Sequence, residues 1–437
     1  MPEQKKFNLN LKDLTTVFLL TLILSLSACK DAGNTQSLEF LKDNKAIDAS
    51  IDSLVNQKSV PFLYARIEGI NGEVLYEHSA INTNLYPDLT LDKNTWFRVW
   101  SMSKIVTISV AMDLVEDGLL NLDDPVINYI PEFESLQVAV TNDGQNVNDI
   151  PWGERNSACP LKLVPMTEVM TIEHLLNHEA GFYYPWTNYS CLDSLQLKSN
   201  IFQAKNTDVM VQVLSKFPLV NQPGEAYHYG VNTTVLGIVA ERVTGKSLKT
   251  LVEERITRPM NIEGLQYKLA ETTLLPPRTL GGDSLTKLTA NNKNRVLGGS
   301  LPLYDQSNIL YLGGEGMVAT TDGYADFARM LLNKGELNGY RLLDEETIEL
   351  IASPHTQLDN PWGYNGYNLW VTGDTLRALE IGEGGLWVGG GYEGTYFWID
   401  TKRKFVGLIM TQLFDMRVTP SDAFRGAVYR EIWEHED

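Results

Sequence analysis

Strand-like blocks lie toward both ends of this 437-residue chain with most of the helix-like sequence between them, and no other feature restricts its possible folds as strongly. On the N-terminal side, "FLYARIEG" and "GEVLYEHSA" read as two strands joined around Asn71-Gly72, a dipeptide whose ready access to positive φ suits a tight hairpin. Strand character returns in "NLWVTGD" and "GTYFWIDTKRKFVGLIMTQL", followed by a closing helix, "PSDAFRGAVYREIWEH". From Ser101 to about Thr250 the pattern is mostly helical, interrupted by long polar loops at about 138–166 and 183–207. "TIEHLLNHEAGF" and "TTVLGIVAERVTGKSLKTLVEERI" carry helix signals, with Gly181 and Gly245 as stops, and "GMVATTDGYADFARMLLNKGEL" and "DEETIELIAS" add two later helices. This arrangement implies one sheet completed by the two ends of the chain, with a helical region at about 101–300 inserted between its halves.

Ahead of the first strand, "MPEQKKFNLNLKDLTTVFLLTLILSLSACK" sets Lys5, Lys6 and Lys12 before a short apolar run from Val17 to Leu26. The run is shorter than the ~20 residues of a membrane-spanning helix, so it reads as an export signal. Leu26-Ser27-Ala28-Cys29 resembles a bacterial lipoprotein box, in which the cysteine becomes the lipidated first residue. Residues 1–28 are therefore expected to be the signal, 29–45 a polar tether, and 46–437 the folded domain. The expected location is the cell envelope or periplasm, with anchoring to a membrane through acyl chains on Cys29, each buried methylene adding about 0.8 kcal/mol. Cys159 and Cys191 remain in loop-like sequence; export permits a disulfide, and the sequence leaves open whether they meet.

The formal charge of −19 becomes about −20 once residues 1–28, with three lysines and two acids, are removed. Such a surface repels phosphate backbones and no basic run offsets it, so nucleic acid is excluded as a partner.

Chemistry enters at "FRVWSMSKIVTISVAMDLVEDGLLNLDDP", which contains Ser101-Met102-Ser103-Lys104. Residues three apart share a helix face, so a serine at the first turn can hydrogen-bond a lysine one turn later. The hydroxyl becomes a useful nucleophile only when a base takes its proton, and lysine can be that base only where burial or charge favours its neutral form. The alternative is a helix-capping serine with an exposed lysine. Spacing alone does not decide, because Ser27 to Lys30 and Ser284 to Lys287 repeat the pattern at a processing site and in a polar loop.

The wider context does. "TWFRVWSMSKIVTISVAMDLVEDGLLNLDDPVINYIPEF", "MTIEHLLNHEAGF", "PGEAYHYGVNTTVLGIVAERVTGKSL", "GGEGMVATTDGYADFARMLLNKG" and "GTYFWIDTKRKFVGLIMTQL" resemble, in order, the serine β-lactamase-related family. That family includes class C β-lactamases, penicillin-binding peptidases and family VIII carboxylesterases. The resemblance implies an α/β sandwich with a central antiparallel sheet flanked by helices. It also implies that Ser101 is the acylated nucleophile and Lys104 its activating partner. In "PGEAYHYGVNTT" it gives the proton-shuttle tyrosine to Tyr229, with Tyr227 a rival, and Val231 stands where the family often has asparagine. The third element, often Lys-Thr-Gly, falls on Gly389-Gly390-Gly391, which would line the substrate, and the N–H groups of Ser101 and Tyr392 would form the oxyanion hole. Loss of the asparagine and of a large first side chain favours an ester over a β-lactam. The expected activity is a carboxylesterase needing neither metal nor cofactor, acting on a small-molecule ester. The alternatives are a β-lactamase or D-amino-acid peptidase acting on amides, and a catalytically silent binding lipoprotein.

Other patterns carry less. Gly389-x-Gly391-x-x-Gly394 matches a dinucleotide fingerprint, but a strand, "TYFWID", follows it instead of a helix. His174 and His178 lie four apart on an expected helix without a third metal ligand, and Gly-x-Ser-x-Gly is absent. Trp362, Tyr364, Tyr367, Trp370 and Trp387 are expected to border the pocket.

Overall fold

The computed structural model describes residues 38–288, 304–358 and 363–436. The export signal, Cys29 and Trp362 lie outside the described residues. A compact unit runs from Phe40 to the C-terminus. The tether expected over 29–45 is thus shorter on its described side: Leu41 is fully buried, and Asn44 caps helix α1 (Lys45–Asn56) through its side chain.

The centre is an eight-stranded sheet of β1 (Phe62–Gly69), β2 (Val74–Ile81), β3 (Thr356–Gln357), β4 (Tyr364–Asn365), β5 (Trp370–Val371), β6 (Trp387–Gly390), β7 (Tyr396–Asp400) and β8 (Phe405–Met410). Its order is β3-β4-β5-β6-β7-β8-β1-β2, antiparallel throughout. The first strand pairs with the last, Tyr64 opposite Met410 and Gly69 opposite Phe405, so the two ends of the chain complete one sheet as the sequence implied. Gly72, at φ +87°, makes the β1–β2 turn. Strands β1 and β8 are buried at every position, which explains why "FVGLIM" is continuously apolar, whereas edge strand β2 alternates.

Five helices frame the sheet and site: α1, α2 (Ser103–Glu116), α3 (Asn232–Thr244), α4 (Thr321–Leu332) and α5 (Pro420–Glu436). Successive strand residues point to opposite faces, and the contacts of β1 and β2 follow that rule. Tyr76, opposite Ile67, reaches Asp48 of α1 and Phe424 of α5, whereas Arg66 and Glu68 pair with Asp322 and Arg329 of α4. Helices therefore cover both faces. Inserted between the sheet halves, α2 packs on α3. Eleven of the fourteen residues of α2 are buried, so this helix has no solvent stripe and is held by packing on all sides.

Two sequence expectations need correction. The stretch 138–166 contains a hairpin, Gln137–Val140 with Lys162–Pro165, and 183–207 contains a helix, Ser190–Ser199. Their four-residue strands are half exposed and too short to show a period. The helix ending at Gly245 stops there as expected, in a left-handed cap at φ +68°. "TIEHLLNHEAGF" instead gives only Ile172–Leu176, ending at Asn177 well before Gly181. Cys159 and Cys191, 32 residues apart, form a disulfide. Among the described residues no helix is long and apolar enough to cross a membrane.

Candidate active site

Ser101 sits in a 3₁₀ turn, Trp100–Met102, immediately before α2, rather than in the α-helix itself. Trp100 has φ +48°, a left-handed backbone that is costly for a bulky side chain and persists only where its surroundings impose it. Those surroundings are specific. The Trp100 indole Nε1 donates to Glu393 Oε2 at 3.0 Å, Glu393 is fully buried, and Arg278 pairs with the other carboxylate oxygen. The Tyr392 ring lies 5.6 Å from that of Trp100. One buried carboxylate, on the residue after Tyr392, thus ties down the residue before Ser101. Gly391 makes the approach possible: a Cβ there would fall 2.5 Å from the Val99 carbonyl oxygen and 2.1 Å from Thr395 Oγ1. A Cβ at Gly389 would strike Phe397, so these two glycines serve backbone packing. Close approach sets the strand that leads to Tyr392 against the turn that carries Ser101.

Lys104, in the first turn of α2, is fully buried. Its Nζ lies 3.0 Å from Ser101 Oγ, 2.9 Å from Tyr184 Oη and 3.0 Å from the Gly314 carbonyl oxygen. A Cβ at Gly314 would come within 3.3 Å of Nζ, so glycine leaves room for the amine. The helix-cap alternative, which required an exposed lysine, is overturned. Behind this cradle Glu315, 2% exposed, accepts hydrogen bonds from Tyr184 Oη and from Thr234 Oγ1 (2.7 Å), and its carboxylate stands 3.7 Å from Nζ.

The structure brings Tyr229 to the same place, with Nζ 4.9 Å from its ring centroid. Tyr227 instead neighbours His178, and burial raises its pKa. The amine's hydrogen-bonded phenol, however, is Tyr184, which sequence reading missed. Burial, and secondarily Glu315, holds Tyr184 well above the ordinary phenol range, so it stays neutral and donates to the carboxylate. Only the unusual run "GFYYPW" hinted at it.

Val231 is buried, and the next residue, Asn232, turns into the core toward His178 Nδ1 (2.9 Å), leaving no amide in the family's usual position. His178 lies beyond its short helix at φ +59°, and its other ring nitrogen faces Asn368 Oδ1 at 2.8 Å. Both nitrogens are thus committed. Burial, followed by the Lys104 charge, lowers its pKa to about 3 and keeps it neutral. His174 closes a capping box with Thr171. Among the described residues no group of three or more His, Cys, Asp or Glu is placed to hold a metal.

Aromatic rings adjoin Trp100, Tyr184 and Tyr229. Trp186, 44% exposed, lies parallel to Tyr392 with centroids 5.5 Å apart, and Trp370 is 6.0 Å from Tyr229. Of the aromatics expected at the pocket border, Trp370 is seen against the ring of Tyr229. Tyr367 is a core residue, stacked on His355 and bonded to Glu173, and Trp387 packs on the main core. Lys287, of the third Ser-x-x-Lys repeat, lies over the Tyr86 ring away from this site, on an exposed strand.

Comparisons agree with this fold. A family model described as Beta-lactamase matches residues 65–429. Protein Rv1367c of Mycobacterium tuberculosis is 28% identical over 322 residues, 70% of this chain and 73% of its own. A lovastatin esterase of Penicillium rubens is 27% identical over 372 residues, 76% of this chain and 84% of its own. Among solved structures, "EstCE1, a hydrolase with promiscuous acyltransferase activity" superposes with a TM-score of 0.69 at 20% identity, covering 90% of this chain and 99% of its own.

Proposed function

The chain belongs to the beta-lactamase family of serine hydrolases and acyltransferases, and on that premise we propose that it is a carboxylesterase working through an acyl-enzyme on Ser101. The observation that carries this reading is the 3.0 Å approach of the buried Lys104 amine to Ser101 Oγ. Lys104 takes the serine proton as Oγ attacks the ester carbonyl, and the negative charge gathers on an oxygen facing the N–H groups of Ser101 and Tyr392. Tyr229, over the amine, gives its hydroxyl proton to the leaving alkoxide as the C–O bond breaks and is reprotonated by the Lys104 ammonium. Water, deprotonated by the same groups, then releases the acid and regenerates Ser101. Val231 and Gly389 leave neither the amide nor the cation that a β-lactam's acylamino and carboxylate groups would engage, which supports an ester over an amide.

The apolar Trp186–Tyr392 pair, next to Tyr184 and Trp100, also favours an apolar alcohol as acyl acceptor, and acyltransferase activity is named for EstCE1. As to location, the N-terminal sequence supports export and a lipid anchor on Cys29, and a disulfide suits an oxidising compartment. The test is a panel of short-chain p-nitrophenyl esters and nitrocefin, with and without an added alcohol, on wild type and Ser101→Ala. Ester turnover that disappears in the variant is expected. Nitrocefin turnover exceeding ester turnover would transfer the assignment to amides, and activity surviving Ser101→Ala would remove it.

A further inference from the structure

The lysine cradle contains one carboxylate that the reaction above does not use. Glu315 stands between glycines in "LGGEGMVA", an acid inside an otherwise apolar run, and is almost completely buried. A buried carboxylate is retained only where its lone pairs are occupied, and here both oxygens accept hydrogen bonds, Oε1 from Tyr184 and Oε2 from Thr234. Thr234 Oγ1 in turn accepts from the Gly314 N–H at 3.0 Å, on the loop whose carbonyl binds Lys104.

Counting protons fixes the direction of the chain. Tyr184 has one hydroxyl proton, and Glu315 takes it, so the phenol can only accept from Lys104. The Gly314 carbonyl also can only accept. In the form that takes the serine proton the amine is neutral, with two N–H bonds and one lone pair. With both N–H bonds committed, the pair is left on the third neighbour, Ser101 Oγ. When the serine proton arrives, the ammonium has three acceptors in place and a carboxylate 3.7 Å away.

We propose that Glu315 is a positioning residue: acting through Tyr184, it turns the free electron pair of Lys104 onto Ser101 and then balances the ammonium that forms. This rests on the serine-hydrolase reading above. The role parallels that of the aspartate in a Ser-His-Asp triad, with a phenol and an amine between carboxylate and hydroxyl. The other titratable groups facing the pair are Tyr184, Tyr229 over the amine, His178 behind Tyr229, and Tyr267 and Tyr304 near Glu315. His178 is held neutral by burial and then by Lys104, and burial raises Tyr184, Tyr267 and Tyr304, so none of these four changes charge near neutral pH.

The experiment follows modification of Ser101 by a fluorophosphonate, read by intact mass and peptide mapping across a pH series, together with kcat and KM for p-nitrophenyl butyrate. Glu315→Gln should label about 100-fold more slowly and lose a similar factor in kcat, with KM within about 3-fold. The acidic limb of its labelling profile should move to lower pH, because the carboxylate that favours a protonated amine is gone. Glu315→Asp should recover part of the rate. Tyr184→Phe/Glu315→Gln should be no slower than the slower single variant, since both act through one chain. An unchanged rate and midpoint in Glu315→Gln overturns the proposal, as does a loss with an unmoved midpoint and full additivity. If Glu315→Gln does not fold, Glu315→Asp and Tyr184→Phe decide by the same criterion of rate and midpoint. Wild-type protein that takes no adduct on Ser101 would instead overturn the serine-hydrolase reading, and this inference with it.

Discussion

Tyr183 and Tyr184 are consecutive residues serving two differently built regions. Tyr184 enters the proposed catalytic cleft, where buried Lys104, Glu315, Thr234, Asn232 and His178 are each held by named hydrogen-bond partners. Tyr183 enters an outlying lobe, a cluster of six buried residues (Ala139, Val147, Tyr183, Tyr189, Leu192 and Val220) beneath the 137–165 hairpin. There the Cys159–Cys191 bond and Arg155, which donates to the backbone carbonyls of Ile150, Thr187 and Asn148, replace deep packing. Closing a 32-residue loop accounts for roughly 3–4 kcal/mol on the chain-entropy view, in a lobe that leaves Trp152 and Leu163 half exposed. The difference teaches that the cleft is specified by polar pairing and the lobe by cross-linking, with Tyr183 and Tyr184 placing one ring in each.

Substitutions should separate the two regions by size of effect. Ser101→Ala and Lys104→Met should each reduce kcat for p-nitrophenyl butyrate by about 10⁴-fold or more, without unfolding the lobe by circular dichroism. Glu393→Gln, which weakens the anchor of Trp100 and leaves Arg278 poorly paired, should cost about 100-fold in kcat/KM and lower thermal stability as well. Tyr184→Phe should cost about 10- to 100-fold in kcat with little change in KM; an effect below about 2-fold would remove the phenol from the cleft's working parts. The smallest catalytic effect should come from Cys159→Ser/Cys191→Ser, with Tm lower by about 4 °C and activity within about 3-fold below the transition. If breaking the disulfide reduced kcat as much as Tyr184→Phe does, the two regions would be one.

The sequence made legible what is local. Ser101 and Lys104 are three apart, Asn71-Gly72 marks its own turn, and the apolar runs of β1 and β8 announce a covered sheet. Tyr229 came from a motif that stands immediately before α3. Tyr184 and Glu315 were not legible, because their bonds to Lys104 and to each other join positions 80 or more residues apart and impose no spacing on the chain. The Glu393–Trp100 bond crosses 293 residues and was hidden for the same reason. The glycine triplet was expected to line the substrate, and the structure gives Gly389 and Gly391 packing work against Phe397, Val99 and Thr395. The hairpin in the lobe escaped notice because four-residue strands, half wet, have no room for a pattern.

Because β1 is hydrogen-bonded to β8, and the turn that holds Ser101 is anchored by Glu393, a growing polypeptide carries Ser101 long before it owns the parts that would make it reactive. Synthesis must run almost to the C-terminus before the middle of the sheet can close. A fragment ending ahead of Phe405 should therefore be inert, and activity should appear late and all at once, as the final strand and helix are delivered.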